Sequence, residues 1–314
     1  TRKLFTFLGF LIIAHAALKG FENEPYKNAL TINKGTHIVL IGNNLCSRMM
    51  NSGHFETEVH LRYPKNKLTI RNMCDGGNTP GFRPHSGRLS PWAFPGAEEY
   101  NSEYMRNSDS QGHFETPDEW LTRLKADVII AFFGYNESFR KEAGVKIFEE
   151  ELGAFIRHSL SQKYNGETAP QLAIVSPIAF QDLSYKYDLP NSQSENKYLL
   201  MYKDAMKRAS EKYKVIFIDV FTPSITWFQK DGVLTIDGFQ MNDKGYKHLS
   251  LFIAEKLFPK RNRKAAKHEK LVREAVLEKN WMWHNDFKIP NGVHVFGRRY
   301  KPYGPDNYPS ELTK

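Results

Sequence analysis

The sequence predicts a three-layer α/β/α fold built on a doubly wound, parallel, five-stranded sheet, followed by a C-terminal helix and an irregular aromatic tail. Two observations lead to this prediction. Five short apolar runs without polar alternation are typical of parallel strands that are buried on both faces. Segments with helical periodicity separate these runs, and crossover connections of one hand place such helices on both sides of a sheet.

The predicted elements alternate along the chain. The strands are expected at 37–42, 67–72, 127–133, 171–176 and 215–220. The helices are expected at 45–62, 118–124, 142–161, 196–212 and 242–258. The clearest helical signal is in 142–161, where Phe148, Leu152, Phe155 and Ile156 recur at the spacing of one helix face.

Composition excludes several classes of protein. The chain has 314 residues and is 40% hydrophobic, which is typical of a globular protein and not of a disordered one. Its 44 Lys and Arg against 35 Asp and Glu give a modest net charge of +9. Two cysteines, Cys46 and Cys74, are too few for a four-cysteine zinc site. The histidines show no metal-ligand spacing, and we predict neither a metal nor a cofactor.

The N-terminus has the pattern of a signal peptide. A basic start at 1–3 is followed by a short apolar stretch with small residues at Ala14 and Ala16. The apolar stretch is shorter than the ~20 residues that span a bilayer, so we expect no transmembrane span once the signal is removed. The alternative is a buried N-terminal helix. We therefore predict export to the periplasm, the cell surface or the extracellular space.

The chain is expected to divide into four segments. These are a signal peptide at 1–16, a lead-in at 17–34, the α/β domain at 35–258, and a basic helix with an aromatic extension at 259–314.

Polar, glycine-bearing turns follow several of the predicted strands. They comprise residues 42–46, 72–79 and 134–138, together with 237–242 directly before the last helix of the domain. Ligands bind outside the carboxyl ends of the strands in open α/β sheets. The four turns therefore predict one cleft at that edge of the sheet.

The order and spacing of these turns resemble the SGNH (GDSL-type) ester hydrolases over residues 35–258. Residues 134–137, Gly-Tyr-Asn-Glu, match the third conserved block of that family, Gly77 matches the second, and Asp237 falls on the Asp of the fifth. The resemblance implies a flavodoxin-like sheet and ester hydrolysis. Gly-Tyr-Asn-Glu-Ser-Phe, and Val-Phe-Gly-Arg-Arg at 295–299, are similar to an exported bacterial subgroup.

Two departures from the family pattern affect the catalytic residues. Asn44 stands where the family has its nucleophilic Ser, and Gln240 stands where it has its general-base His. An amide side chain has no ionisable nucleophile and takes no proton near neutral pH. The covalent route of the Ser-His-Asp triad is therefore closed, and Asp237 is left without its His.

The resemblance implies that the oxyanion side of the site is kept. It assigns this role to the backbone N–H groups of Asn44 and Gly77 and to the side chain of Asn136, with Gly134 and Asn43 in the same binding turns. We therefore predict an exported, esterase-like protein, a pseudoenzyme that binds a small acylated or carbohydrate-like ligand.

Two other functions remain open from the sequence. One is an active ester hydrolase that uses a displaced nucleophile, Ser47 or Cys46, or a water oriented by Asp237. The other is an interaction module of a larger exported assembly. Cys46 and Cys74 follow neighbouring predicted strands, so they form either a disulfide across the site or two buried thiols.

The remaining features concern surfaces. A basic cluster between 256 and 273 predicts a solvated helix face, or alternatively a surface for anionic glycans, lipid headgroups or a protein partner; nucleic acid is not expected. The segment 76–117 predicts a long functional loop over the cleft. Its residues Arg83, Arg88 and 92–94 are candidates for ligand contact.

Overall fold

A computed structural model describes residues 29–85, 88–102, 114–260, 262 and 264–288. The predicted signal peptide at 1–16 and the aromatic tail beyond residue 288 lie outside these described residues, and so do Arg261 and Arg263 of the basic cluster.

The sheet has five parallel strands, as the sequence predicts. They are β1 (His37–Gly42), β2 (Thr69–Asn72), β3 (Val128–Phe132), β4 (Gln171–Val175) and β5 (Ile216–Ile218). Their spatial order is β2-β1-β3-β4-β5, with Ile38 of β1 aligned between Ile70 of β2 and Val128 of β3. The order reverses direction between β1 and β3, and this switch point is where a crevice opens at the carboxyl ends of the strands.

Ten helices accompany the sheet in the described residues, beside short 3₁₀ turns. They are α1 (Asn44–Ser47), α2 (Met49–Ser52), α3 (His54–Arg62), α4 (Pro117–Arg123), α5 (Tyr135–Ser138), α6 (Val145–Ser161), α7 (Gln193–Tyr213), α8 (Phe221–Asp231), α9 (Asp243–Leu257) and α10 (Glu269–Met282). A π-helical turn, Trp283–Lys288, follows α10. None of the helices described here has both the length and the apolar character needed to cross a membrane.

The two faces of the sheet carry separate apolar cores. In β1, Ile38 and Leu40 pack with α3 and α9, whereas Val39 and Ile41 pack with α6 and α7. This alternation follows from the pleat of the strand, which turns successive side chains to opposite faces. The sheet is therefore covered on both sides, as predicted for its continuous apolar strands.

The single helix predicted over 45–62 is wrong, because the structure breaks it into α1, α2 and α3. Gly53 separates α2 from α3 with a φ of 67°, a left-handed conformation that stops a helix. A Cβ at Gly53 would lie 3.1 Å from a methyl group of Leu277 in α10. The break therefore also makes room for the C-terminal helix.

The helix α8 was not predicted. Its sequence Phe-Thr-Pro-Ser suggests a turn, yet Pro223 lies in the first turn of the helix. Proline is tolerated there because the N–H groups of a first turn have no intrahelical partner.

The C-terminal helix covers the free edge of the sheet. β2 pairs with β1 alone, and α10 packs against α2 and α3 beside it. Three side chains of the C-terminal segment donate hydrogen bonds to alternate backbone carbonyls along this edge: Lys279 to Ile70, Trp283 to Asn72 and Lys288 to Cys74. Side chains thus occupy positions that another strand would otherwise take.

Candidate functional site

The turns after β1, β2 and β3 are joined by hydrogen bonds at the carboxyl edge of the sheet. The backbone N–H of Asp75 donates to the Gly42 carbonyl at 2.9 Å. The Asn136 side chain donates to the Asn78 carbonyl at 2.9 Å. The turn that follows β2 is therefore held between the two strands at the switch point.

The turn after β1 is tight and buried. Gly42 has a φ of 127°, and a Cβ there would lie 2.1 Å from the Phe132 carbonyl oxygen, so only glycine fits. Asn43 is 1% exposed, and its side chain accepts a hydrogen bond from the Leu45 N–H at 3.1 Å. The prediction that Asn43 binds ligand is therefore corrected: Asn43 is the N-cap of α1.

The backbone of this turn presents one free donor to the cleft, and the turn after β2 presents another. Asn44 is half-buried at the start of α1, and Gly77 is exposed with a φ of 83°. In the described part of the chain, no protein atom accepts from either backbone N–H. These are two of the three donors that the sequence assigned to the oxyanion side.

Cys46 and Cys74 form a disulfide. Both residues are fully buried, and the Asn72 side chain adds a hydrogen bond to the Cys46 carbonyl at 2.8 Å. Of the alternatives that the sequence left open, the structure therefore selects the disulfide between the first two turns. A sulfur in a disulfide is not a thiolate, which removes Cys46 as a candidate nucleophile.

The turn after β3 contributes one side chain. Gly134, a predicted binding residue, is buried, and its N–H donates to Glu137 Oε2 at 2.8 Å. This N–H is therefore not free for a ligand, which corrects the prediction. Asn136 is half-buried in α5 and uses one N–H of its amide for Asn78, so the second N–H is its remaining donor.

The fifth block forms a closed turn before α9. Asp237 Oδ1 accepts the backbone N–H groups of Phe239 at 3.0 Å and Gln240 at 2.6 Å. Asn242 then caps α9 by accepting the Gly245 N–H at 2.9 Å. Asp237 therefore shapes the backbone of this turn. The Gln240 Oε1 atom is buried and has no hydrogen-bond partner.

Two contacts bring this turn to the others. The rings of Tyr135 and Phe239 stack with centroids 3.3 Å apart. The Tyr246 hydroxyl in α9 donates to the Leu45 carbonyl at 3.0 Å. Burial, with the nearby Asp237 carboxylate, raises the pKa of Tyr135 to about 12. The structure thus brings the four predicted turns together at the carboxyl edge of the sheet, and a ligand cleft between them stays a prediction.

Two buried carboxyl groups, Glu137 and Glu151, lie beside the site. The sequence analysis included Glu137 in the third block without giving it a role, and it missed Glu151. Burial, and then the charge of Glu151, raise the pKa of Glu137 to about 8. Glu151 Oε1 accepts from the Thr79 hydroxyl at 2.9 Å, the Gly81 N–H at 2.7 Å and the Asn101 amide at 2.8 Å. Glu151 therefore anchors the long loop that follows β2.

A signal for Glu151 exists in the sequence. It lies on the apolar stripe of α6, three residues after Phe148 and four before Phe155. A carboxyl group on the buried face of an amphipathic helix indicates a polar partner in the core.

The long loop lies against the sheet face that carries α6, and its arginines are buried. Arg83 and Arg88 are 5% and 7% exposed. The Arg83 guanidinium lies 4.9 Å from the centroid of the Phe133 ring. The expectation that these arginines contact a ligand over the cleft is therefore wrong. Within 92–94, Ala93 and Phe94 belong to the core of the same face.

Within the described part of the basic cluster, Arg273 forms hydrogen bonds that hold α10 against the α/β domain. Arg273 donates to the Ser52 carbonyl at 2.8 Å and to Asp243 at 2.9 Å. Lys270 and Glu274 lie 4.0 Å apart on the surface of α10. Docking of a protein partner through this helix stays a prediction. Among the described residues, no group of three or more His, Cys, Asp or Glu side chains is arranged to hold a metal ion.

Comparison with known proteins shows the fold. No family model matches the chain, and no curated protein matches it. A gut microbial diltiazem-metabolizing enzyme matches with a TM-score of 0.51 at 11% identity, over 74% of this chain and 49% of that one. A protein from Parabacteroides merdae described as a GDSL-like lipase matches with a TM-score of 0.50 at 14% identity, over 73% and 98%.

A mutant of an acetylxylan esterase from Geobacillus stearothermophilus has a TM-score of 0.49 at 12% identity, over 74% of this chain and 100% of that one. The five-stranded parallel sheet, covered by helices on both faces, is the α/β fold that the sequence predicts, and the protein from Parabacteroides merdae shares it. This chain spans about half the length of the diltiazem-metabolizing enzyme.

Proposed function

We propose that this chain is an exported, esterase-like protein without the Ser-His pair of its fold, and that it binds an acylated or carbohydrate-like ligand at the strand-end cleft. One observation carries the proposal. Asn44 and Gln240, two amides, occupy the turns where the SGNH blocks have their nucleophile and base. Neither side chain performs acyl transfer at neutral pH.

Cys46, Ser47 and Asp237 are poor replacements for the missing serine nucleophile and histidine base. The disulfide engages Cys46. Ser47 hydrogen-bonds through its backbone N–H to Asn43, and no histidine or carboxylate of the described chain hydrogen-bonds to its hydroxyl. A serine without an adjacent base is a weak nucleophile. Asp237 Oδ1 is used by the turn that contains Gln240.

The cleft offers neutral hydrogen-bonding groups. The donors are the N–H groups of Asn44 and Gly77 and the second amide N–H of Asn136. The Gln240 Oε1 atom has no partner but is buried, so it accepts from a ligand only after its side chain moves. Such a set fits a carbonyl oxygen together with hydroxyl groups, and it supplies no charge to pair with an ionic ligand. An acylated sugar presents both kinds of group.

An aromatic rim lies beside these polar groups. Phe139 is 70% exposed and its ring packs edge-on against Tyr135, with centroids 5.4 Å apart. Tyr135 in turn stacks on Phe239. An exposed aromatic face next to hydrogen-bonding groups is suited to the apolar side of a sugar ring or to an acyl chain.

Export is supported by the disulfide. Disulfides persist in oxidising compartments and are rare in the cytosol. Cys46 and Cys74 are the two cysteines of the chain, and both are used in this bond. The signal-peptide pattern at 1–16 agrees with such a compartment.

Catalytic loss is tested by restoring the family residues. We expect no hydrolysis of p-nitrophenyl acetate by the wild-type protein and measurable hydrolysis by the double variant Asn44→Ser, Gln240→His. The matched control is Asn44→Ser alone, which restores a hydroxyl without a base and is expected to stay inactive. Wild-type turnover that Ser47→Ala or Asn136→Ala abolishes would establish the active esterase instead.

Ligand binding is tested separately by calorimetry with xylobiose and acetylated xylobiose. We expect the acetylated sugar to bind more tightly, and Phe139→Ala to weaken binding about tenfold, as loss of one stacking contact does. Leu271→Ala, at an exposed position of α10, is the matched control. Equal binding by wild type and Phe139→Ala would contradict the aromatic rim.

A further inference from the structure

A small cavity lies on the α6 side of the sheet, apart from the groups of the cleft. Its volume is about 30 Å³. Apolar side chains such as Ile41 and Phe155 form part of its wall, and Arg83, Arg88 and Trp120 also line it. The two arginines come from the long loop after β2, and Trp120 comes from α4.

Each of these three polar residues has a buried N–H group without a hydrogen-bond partner. The nitrogens are Arg83 Nη1, Arg88 Nε and Trp120 Nε1. Arg88 also donates through Nη1 to the Glu115 carbonyl at 2.6 Å. The Arg83 side chain makes no hydrogen bond or ion pair with any atom of the described chain. Buried donors are rarely left unpaired, so this cluster requires an explanation.

The charges around the cavity do not cancel. Two guanidinium groups line it against one carboxylate, that of Asp118. Both oxygens of Asp118 are already used, one by the Tyr164 hydroxyl at 2.7 Å and one by His158 Nε2 at 2.6 Å. Aromatic rings compensate part of the burial of both arginines, because the Arg83 guanidinium lies 4.9 Å from the Phe133 ring centroid and that of Arg88 lies 4.8 Å from Phe114. Neither ring carries a negative charge, so the excess of positive charge remains.

Asp75 and Glu115 act on Arg88 and compensate part of its charge. The carboxyl groups that act on Arg83 compensate little. Glu151 and Glu137 both act on Arg83, but burial raises the pKa of each, that of Glu137 to about 8. Glu137 therefore carries little negative charge at neutral pH. Neither carboxyl group lies within ion-pair distance of Arg83.

We propose that this cavity binds one small monovalent anion of halide size, held by the N–H groups of Arg83, Arg88 and Trp120. A water occupies at least ~10–15 Å³ in such a cavity, so the space holds a halide but not a hydrated divalent ion. The apolar part of the wall favours a weakly hydrated anion over sulfate or phosphate. The ion joins the long loop to α4 and to the underside of β1.

The proposal is tested with bromide as the probe. At constant ionic strength, replacing sodium gluconate by sodium bromide is expected to raise the Tm saturably, by about 3 °C at ten times the half-saturating concentration. Crystals grown in bromide are expected to show an anomalous peak between the arginines and Trp120. An equal Tm in both salts, with only water in the cavity, would overturn the proposal.

Two variants locate the effect. Trp120→Phe keeps an aromatic ring but removes one donor, and we expect its half-saturating bromide concentration to rise about fivefold. Arg83→Met removes the charge, and we expect the bromide dependence to disappear. If Arg83→Met does not fold, the half-saturating bromide concentration of Trp120→Phe still tests the proposal. Trp227→Phe, which changes a tryptophan packed against the core on the other face of the sheet, is the matched control. If Trp120→Phe, Trp227→Phe and the wild type all have the same half-saturating bromide concentration, the assignment of the anion to the cavity beside Trp120 is contradicted.

Discussion

Glu137 illustrates how burial sets the charge of one residue beside the site. Its Oε2 accepts the Gly134 N–H, and its Oε1 has no partner. Burial and Glu151 raise its pKa from the ordinary value of 4.5 to about 8. Between these two values the unfolded chain has lost the proton and the folded chain has kept it. The free energy of unfolding therefore falls as the pH rises through this range.

We predict that Glu137→Gln makes this pH dependence shallower. Glutamine keeps an acceptor for the Gly134 N–H but does not ionise. Urea denaturation between pH 5 and 8 is expected to show a decline in unfolding free energy that is smaller by about 1 kcal/mol per pH unit than in the wild type. At pH 8 the variant is expected to be the more stable protein.

Glu150→Gln is the matched control, because Glu150 is an exposed carboxyl on the same helix as Glu151. Its pH profile is expected to equal that of the wild type. A Glu137→Gln profile with the wild-type slope would show that Glu137 is ionised in the folded protein.

At the scale of residues, the sequence predicted the positions of the turns in the candidate site better than it predicted the hydrogen bonds of the individual residues in those turns. Asn44, Asn136 and Asp237 follow strand ends or precede a helix, and such positions can be read from the apolar pattern. The apolar pattern does not show whether a polar group in a turn is free to bind a ligand or is already used in a hydrogen bond within the protein. Asn43 and Gly134 are occupied by short-range hydrogen bonds that depend on the exact turn geometry.

At the scale of elements, the edge of β2 is completed by side chains. The Trp283 indole N–H donates to the Asn72 carbonyl at 2.9 Å, while its ring packs edge-on against Trp120. Lys279 donates to the Ile70 carbonyl at 3.2 Å and also pairs with Glu56 at 2.7 Å. The C-terminal helix is therefore bound both to the sheet and to α3.

We predict that Trp283→Phe lowers the free energy of unfolding by about 1–2 kcal/mol, because it leaves the Asn72 carbonyl without a donor while keeping an aromatic ring in place. Chemical denaturation measures the change, and hydrogen exchange is expected to rise along β2. Trp281→Phe is the control, since Trp281 is exposed near the end of α10, two residues before Trp283. Equal losses in both variants would contradict a role for the indole N–H.

The elements themselves were predictable to different degrees. The strands lie where the apolar runs predicted them, since a parallel strand buried on both faces needs such a run. The helix over 45–62 failed because the apolar spacing continues across Gly53, whereas the backbone reverses there. The periodicity of apolar residues indicates which face of a helix is buried. It does not indicate where a single residue in a left-handed conformation interrupts the helix.

At the scale of the whole molecule, the C-terminal segment is part of the fold. The sequence indicated an appended helix after residue 258 but not its place against β2. Lys279 and Ile70 are 209 residues apart, and no local pattern connects them. The alternation of strands and helices, by contrast, is local along the chain and was sufficient to predict the sheet.

We predict that a chain ending at Phe258 is much less stable than one ending at Lys288. The shorter chain exposes the apolar sides of α2 and α3 and leaves the β2 edge open, and open edges promote aggregation. The longer chain retains the contacts of α10 and of the π-helical turn with the rest of the described residues. Thermal unfolding and light scattering measure the difference. Equal Tm values and equal solubility would show that the α/β domain folds without α10.

The side-chain donors at 279, 283 and 288 are synthesised long after β2 and Cys74, whose backbone carbonyls accept from them. β2 is complete once residue 72 has been synthesised, yet the donor for Ile70 is added 209 residues later. At ~5–20 residues per second this interval lasts roughly 10–40 s. The outer edge of β2 is therefore among the last parts of the sheet to be covered during synthesis.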